Sequence, residues 1–174
     1  TRVATKTFFN IPQFDDKYGE PFRKIKEDVI SRAKLLELGV AESIVDAATT
    51  RADPKIPTLC AWIMELLGSW QTGPQRGRFE TENATRLIDL QRKLMNAGEV
   101  IELETADHIW LMKVLFQDKV DYTTPDGKLR ITGQWGLNAL GPELGLLVKA
   151  ALEGAGSSAS GTESSDSGPA GLPH

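Results

Sequence analysis

Pro57-Thr58-Leu59-Cys60-Ala61-Trp62-Ile63-Met64-Glu65-Leu66-Leu67-Gly68-Ser69-Trp70 is the stretch on which the reading of this chain turns. Leu59, Trp62, Ile63, Leu66 and Leu67 recur at i, i+3, i+4, i+7 and i+8, one continuous helical face. Cys60, Ala61 and Met64 widen that face, and Glu65 is its one charged residue. A helix this apolar all round needs protein on several sides, so its place is the centre of the core. Thr58 can cap the free N–H groups of the first turn, and Gly68 is expected to end the helix with a left-handed backbone.

A second very apolar segment, about Ala106 to Asp118, carries Ile109, Trp110, Leu111, Met112, Val114, Leu115 and Phe116 and completes a core pair. Thr105 is expected to cap it, with Asp107 placed against the helix dipole. Between the two, Thr81 reads as the N-cap of a helix to Asn96, with Ala84, Leu87, Ile88, Leu94 and Met95 inward. Glu82 with Arg86, and Asp89 with Lys93, are spaced for i,i+4 ion pairs on its outer side. A final helix opens at Pro142 and sets Leu144, Leu147, Val148, Ala151 and Leu152 on one face, ending near Gly154.

Upstream, an amphipathic helix is expected over 24–38, with Ile25, Val29, Ala33 and Leu36 sharing a face and Gly39 stopping it. A shorter one follows from Ala41 to about Thr50, with Ile44, Val45 and Ala48 inward. The two prolines of Asp53-Pro54-Lys55-Ile56-Pro57 make that stretch a connector. Residues 1–25 read as an extended lead-in, a hairpin of Thr5–Ile11 with Pro21–Ile25 about an acidic turn at 15–20. Glu99–Glu104 fits a short strand. Thr123-Thr124-Pro125-Asp126-Gly127 between β-favouring residues is the clearest hairpin signal. Gly133–Leu140 suits a helical turn broken by Gly141-Pro142. From Gly154 the sequence turns to Gly, Ser and Ala, and among 154–174 Leu172 is the one large aliphatic residue. Such a tail cannot bury enough apolar area to offset its ordering entropy, so disorder is expected unless a partner holds it. The expected fold is mainly α: a compact bundle of about five to six helices with one or two short β-hairpins. It forms a single domain over 1–153, with a disordered tail over 154–174.

Composition narrows the function. The net charge of -4 argues against general binding to nucleic acid or anionic membranes, which needs a basic surface. A local patch of Arg23, Lys24, Lys26, Arg76 and Arg78 is the one route to phosphate backbones. No run approaches the length of a membrane span, and Thr1–Lys6 lacks the apolar core of a signal peptide. The single Cys60 fits a reducing compartment and reads as a packing thiol. His108 stands without the companions a zinc site needs, and no metal or other cofactor is indicated. The acidic turn at 15–20 lacks calcium-loop spacing and reads as a solvated turn. Gln71–Arg78 holds two glycines, a proline and two arginines, but neither phosphate-loop pattern, and reads as a solvated basic loop. Glu104, Asp107 and His108 are the only acid–base candidates for an enzyme; neighbours i and i+1 do not share a helix face, and no catalytic residue is assigned.

The segment Phe14-Asp15-Asp16-Lys17-Tyr18-Gly19-Glu20-Pro21 has the form Phe-x-Asp-x-x-Gly-x-Pro. With the Thr58-Leu59 helix start, the charged helix Glu80–Asn96, and Leu103-Glu104-Thr105 running through Ile109 to Lys113, it resembles a kind of small protein encoded in tailed-phage and prophage genomes. The similarity spans about residues 8–140, with Lys26–Pro57 standing as an insertion. What the resemblance implies is a phage-derived, non-enzymatic structural protein used in virion or tail assembly, present in the host cytoplasm during assembly and in the virion.

Self-association or a protein partner is therefore expected, with no membrane, no nucleic acid and no small-molecule substrate indicated. The alternative is a phage-encoded inhibitor or adaptor binding one host protein. Such a binder should show one dominant patch, an assembly subunit several. Four tryptophans supply anchor candidates. Trp70 and Trp135, at or just beyond helix ends, and the loop arginines Arg76 and Arg78 are the candidate partner contacts. Placement of both tryptophans in the core is the competing reading.

Overall fold

The computed structural model describes residues 3–24, 32–49 and 55–159. Seven α-helices and two small antiparallel sheets are present among them, and about half of these residues are helical. The architecture is mixed α and β rather than mainly α. The sequence reading undercounts the sheet because three of the five strands pair with partners far away in the chain.

Strand β1 (Ala4–Phe9) is the middle of a three-stranded sheet. On one side lies β2 (Val100–Glu104), with Phe8 opposite Ile101 and Phe9 opposite Val100. On the other lies β5 (Gly156–Ala159), with Thr5 opposite Ser158. The expected pairing of Thr5–Ile11 with Pro21–Ile25 is thus replaced. Residues 14–22 instead close a small loop through one bridge, Asp15 to Pro21. The Asp16 carboxylate accepts from the backbone N–H of Tyr18 and Glu20 at 2.8 and 3.0 Å, which leaves no strand to extend. The tail boundary also moves. The segment 156–159 is ordered by main-chain bonds to β1 of the same chain, not by a partner; residues 160–174 lie outside the described residues.

Helix α3 (Leu59–Thr72) sits at the centre, with Leu59, Cys60, Trp62, Ile63, Leu66, Leu67 and Trp70 buried. Its first turn is closed by three acceptors. Thr58 Oγ1 takes the Ala61 N–H, Ile11 O takes that of Leu59 at 2.8 Å, and Asn10 Oδ1 takes that of Cys60 at 2.9 Å. Asn10 also donates from its backbone to Glu99 O and from its amide to Gly98 O. It therefore ties β1, α3 and the approach to β2 at one point. The helix does not end at Gly68. It continues to Thr72, and Gly73 caps it, because the Gly73 N–H still reaches Ser69 O.

Helix α4 (Thr81–Met95) buries Leu87, Leu90 and Leu94, a narrower stripe than expected. Ile88 and Met95 lie outside it, 53% and 72% exposed. Its cap position is Glu80, without a side-chain cap bond, rather than Thr81. The pairs actually formed are Arg86 and Lys93 with Asp107, and Arg92 with Asp89. Two cations thus reach across to the next helix instead of along their own.

Helix α5 (Thr105–Met112) runs directly into a π-helical turn, Lys113–Gln117, in which the Asp118 N–H donates to Lys113 O at 2.8 Å. Glu104, not Thr105, is its cap residue. The π turn carries three consecutive buried side chains, Val114, Leu115 and Phe116. Strands β3 (Lys119–Thr123) and β4 (Arg130–Gln134) form the expected hairpin about Gly127, whose φ of 71° a glycine takes without strain. Arg130 grips Asp121 across it through two bonds of 2.9 and 2.8 Å.

Helix α6 (Trp135–Leu140) and helix α7 (Pro142–Glu153) turn back on one another at Gly141. Leu144, Val148 and Leu152 are buried, while Leu147 is 37% exposed at the edge of the face. Two glycines allow a close approach here. A Cβ on Gly145 would lie 2.9 Å from Gly136 O and Leu137 Cα, and one on Gly136 would lie 2.2 Å from Cε1 of Phe116.

Helices α1 (Arg32–Glu37) and α2 (Glu42–Thr49) pack on each other. Val45 is fully buried, but Ile44 is 61% exposed and Ala33 and Leu36 are exposed, against expectation. The remaining inward candidates Ile25 and Val29 lie outside the described residues. At the root of this excursion the Lys24 N–H donates to Lys55 O at 2.9 Å.

Candidate functional site

A cleft of about 580 Å³ opens where α3, the loop after it, the π turn and β3 meet. Its inner wall is aromatic. Trp70 meets Trp110 edge-on, with ring centroids 5.6 Å apart and planes at 87°, and meets Phe79 the same way at 5.8 Å. Those rings are locked by packing, since Trp70 and Trp110 are nearly buried. Around them stand polar side chains: Gln75 and Arg78 from the loop, Asn83 from the first turn of α4, Lys113 from the π turn, and Asp118, Lys119 and Asp121 from the run into β3.

The charges in this cleft sort into two kinds. Asp118 pairs with Lys113 at 3.3 Å. Asp121 is held by Arg130, whose hydrogen bonds keep its carboxyl below the usual range. Both acids are thereby matched. Arg78 and Lys119 have no carboxylate partner among the described residues, and both are solvent-exposed. The Arg78 loop is itself fixed: Gln75 Nε2 donates to Arg78 O at 3.1 Å, and the Arg78 N–H donates to Gln75 O at 3.0 Å.

A second, more open hollow of about 480 Å³ lies between α4 and α5. Glu104 and Asp107 line it together with Arg86, Asp89 and Lys93. The Asp107 side chain is only 14% exposed, with Arg86 Nε 3.2 Å and Lys93 Nζ 3.9 Å from its oxygens. Burial is the largest influence on its carboxyl and, with Glu104 and Asp89, leaves the pKa raised despite the opposing Lys93 and Arg86. His108 does not join this group. It is buried, with Nε2 2.8 Å from Leu152 O and its ring 6.4 Å from that of Phe8. His108, at the start of α5, is thus a clamp between α5 and the end of α7, and the three acid–base candidates divide between a hollow and the core.

The four candidate contacts divide likewise. Trp70 and Trp135 are each 5% exposed, so the core reading describes them and a free contact surface does not. Trp135 donates from Nε1 to Ser69 Oγ at 3.1 Å and meets Tyr122 edge-on at 6.0 Å. Arg78 lines the cleft, whereas Arg76 is exposed beside it and contributes no lining. Of the proposed basic patch, Lys24 is paired with Glu65 at 2.7 Å and Lys26 lies outside the described residues. Lys119 was missed by the sequence reading. Its one signal is that it follows Asp118 at the start of a strand, which says nothing of a loop forty residues earlier.

Cys60 is 4% exposed, and burial pushes its thiol up to about 11. Among the described residues no group of three or more His, Cys, Asp or Glu is placed to hold a metal ion, and no helix is long and apolar enough to cross a membrane. Compared with protein-family models, curated proteins and solved structures, the chain matches none.

Proposed function

We propose that this chain is a non-enzymatic interaction protein acting through protein–protein contacts, of the kind tailed phages use in virion or tail assembly. The supporting observation is the spread of exposed apolar side chains over different elements. Phe9 and Val100 stand side by side across β1 and β2, 74% and 50% exposed. Ile88 and Met95 are exposed on α4, Leu146 and Leu147 on α7, and Leu36 and Ile44 on the excursion formed by α1 and α2. Isolated exposed hydrophobes are ordinary, but paired ones on several elements fit a subunit with more than one neighbour better than a binder with one dominant patch. Cys60 and His108, the chain's one thiol and the one histidine among the described residues, are taken up by packing and by a main-chain bond.

Light scattering after size exclusion tests this reading. A defined oligomer is expected for residues 1–159, which keep β5, and Phe9→Lys with Val100→Lys should shift it toward monomer. A monomer at high micromolar concentration that also captures no partner would overturn the proposal.

A further inference from the structure

The 580 Å³ cleft is of small-ligand size, since such sites run to roughly 300–1,000 Å³. Protein–protein contacts do not need a concave space of this kind. Its two acids are matched, Asp118 by Lys113 of the lining and Asp121 by Arg130 from outside it, which leaves Arg78 and Lys119 as the lining cations without a carboxylate partner among the described residues. They stand on different elements, the α3–α4 loop and β3, so the fold and not sequence proximity brings them to one opening. The chain as a whole is acidic, with a net charge of -4, so two cations without carboxylate partners among the described residues are not explained by a generally basic surface. Asn83 adds an amide that can donate. The π turn that supplies Lys113 and Val114 is a second observation pointing the same way, because such turns are rare and recur at functional sites.

We infer that this cleft binds a phosphate dianion, free or as the terminal group of a small phosphate ester. A phosphate monoester carries about -1.5 to -2 at neutral pH, which two cations match and a single carboxylate does not. Arg78 carries a planar fork suited to two phosphate oxygens, and Lys119 adds a point charge from a different element of the lining. Trp70 and Trp110 form a rigid apolar floor beside these polar groups. This goes beyond the protein-contact reading and stands or falls separately from it.

The test is a titration of the isotopically labelled full chain by NMR, with inorganic phosphate, AMP, succinate and sodium chloride at matched ionic strength. Phosphate is expected to give saturable shifts confined to the amides of Asn83, Lys113, Lys119 and Trp110. Tighter binding of AMP than of phosphate assigns the ester as the source, and equal binding assigns the free ion; either supports the site. Arg78→Gln and Lys119→Gln are surface changes that keep the spectrum of a folded chain, and each should weaken binding about tenfold, the usual worth of one charged hydrogen bond. Arg76→Gln, on the same loop but outside the cleft, should change binding less than twofold. Shifts reproduced by sodium chloride, an Arg76→Gln effect as large as that of Arg78→Gln, or succinate binding as well as phosphate would each overturn the inference.

Discussion

Gly136→Ala places one methyl group where the structure has no room. The new Cβ would lie 2.2, 2.7 and 2.8 Å from Cε1, Cδ1 and Cζ of Phe116. Phe116 is 1% exposed and sits in the π turn, so its ring has no open space to enter. Overpacking of a filled core costs about 1–3 kcal/mol. Replacing glycine by alanine in a helix interior returns up to about 1 kcal/mol, and less here, because Gly136 is the second residue of α6. The net expectation is a loss of about 1–2 kcal/mol, equivalent to a fall in Tm of roughly 2–8 °C for a domain of this size. Urea unfolding followed by tryptophan fluorescence measures it, with an unchanged m-value showing that the folded state is otherwise the same. Phe116→Leu should relieve the clash, so the double variant should lose at least about 1 kcal/mol less than the two single losses added together. If Gly136→Ala unfolds within about 0.5 kcal/mol of the parent, or the two changes are additive, the close approach of α6 to the π turn is misjudged.

Three further outcomes follow from the same packing. Gly68→Ala lies mid-helix with nothing within 4 Å of the new Cβ, so it should raise stability by up to about 1 kcal/mol in the same urea assay. Asn10→Ala removes the acceptor for the Cys60 N–H and the donor to Gly98 O, and should cost about 1–3 kcal/mol, more than any change in the exposed loop 75–78. The Cys60 thiol is raised in the folded state to about 11, so the folded chain holds its proton longer than the unfolded one. Its contribution is complete below the unfolded pKa near 9 and is lost as pH rises toward 11, at up to about 1.4 kcal/mol per pH unit. Parent and Cys60→Ala unfolding curves compared between pH 8 and 11 should therefore converge as the parent weakens, and the native thiol should resist alkylation at pH 8.

Local chemistry made much of the helical frame readable, and non-local chemistry hid the rest. The Thr58 cap, the apolar face from Leu59 to Leu67, Pro142 at the head of α7 and the Pro-Asp-Gly hairpin are all signals carried by neighbours in sequence, and each stands where it was read. Gly68 shows the limit: glycine permits a helix end, but the helix runs on through Trp70, buried two residues later. The inward face of α4 was overdrawn because Ile88 is as apolar as Leu90, and only the position of α3 decides which of them is covered. β1 reads as a strand from its own residues, yet its partners at 100–104 and 156–159 leave no mark on it. Serine-rich β5 shows that main-chain hydrogen bonds can order a segment whose composition alone argues against it. The cleft was the least legible part, since Arg78 and Lys119 meet only through the fold.

The bond from Lys24 to Lys55 makes those two positions a splice point. The chain departs from the body and returns to the same spot, so what lies between has little purchase on the register of the rest. Lengthening such a closed excursion costs only about 0.6 kcal/mol per doubling. Lengthening this piece should therefore leave Asn10, α3 and the sheet in their places. For the experimenter, the same junction is where a fluorescent domain or an affinity peptide can be grafted without disturbing the cleft.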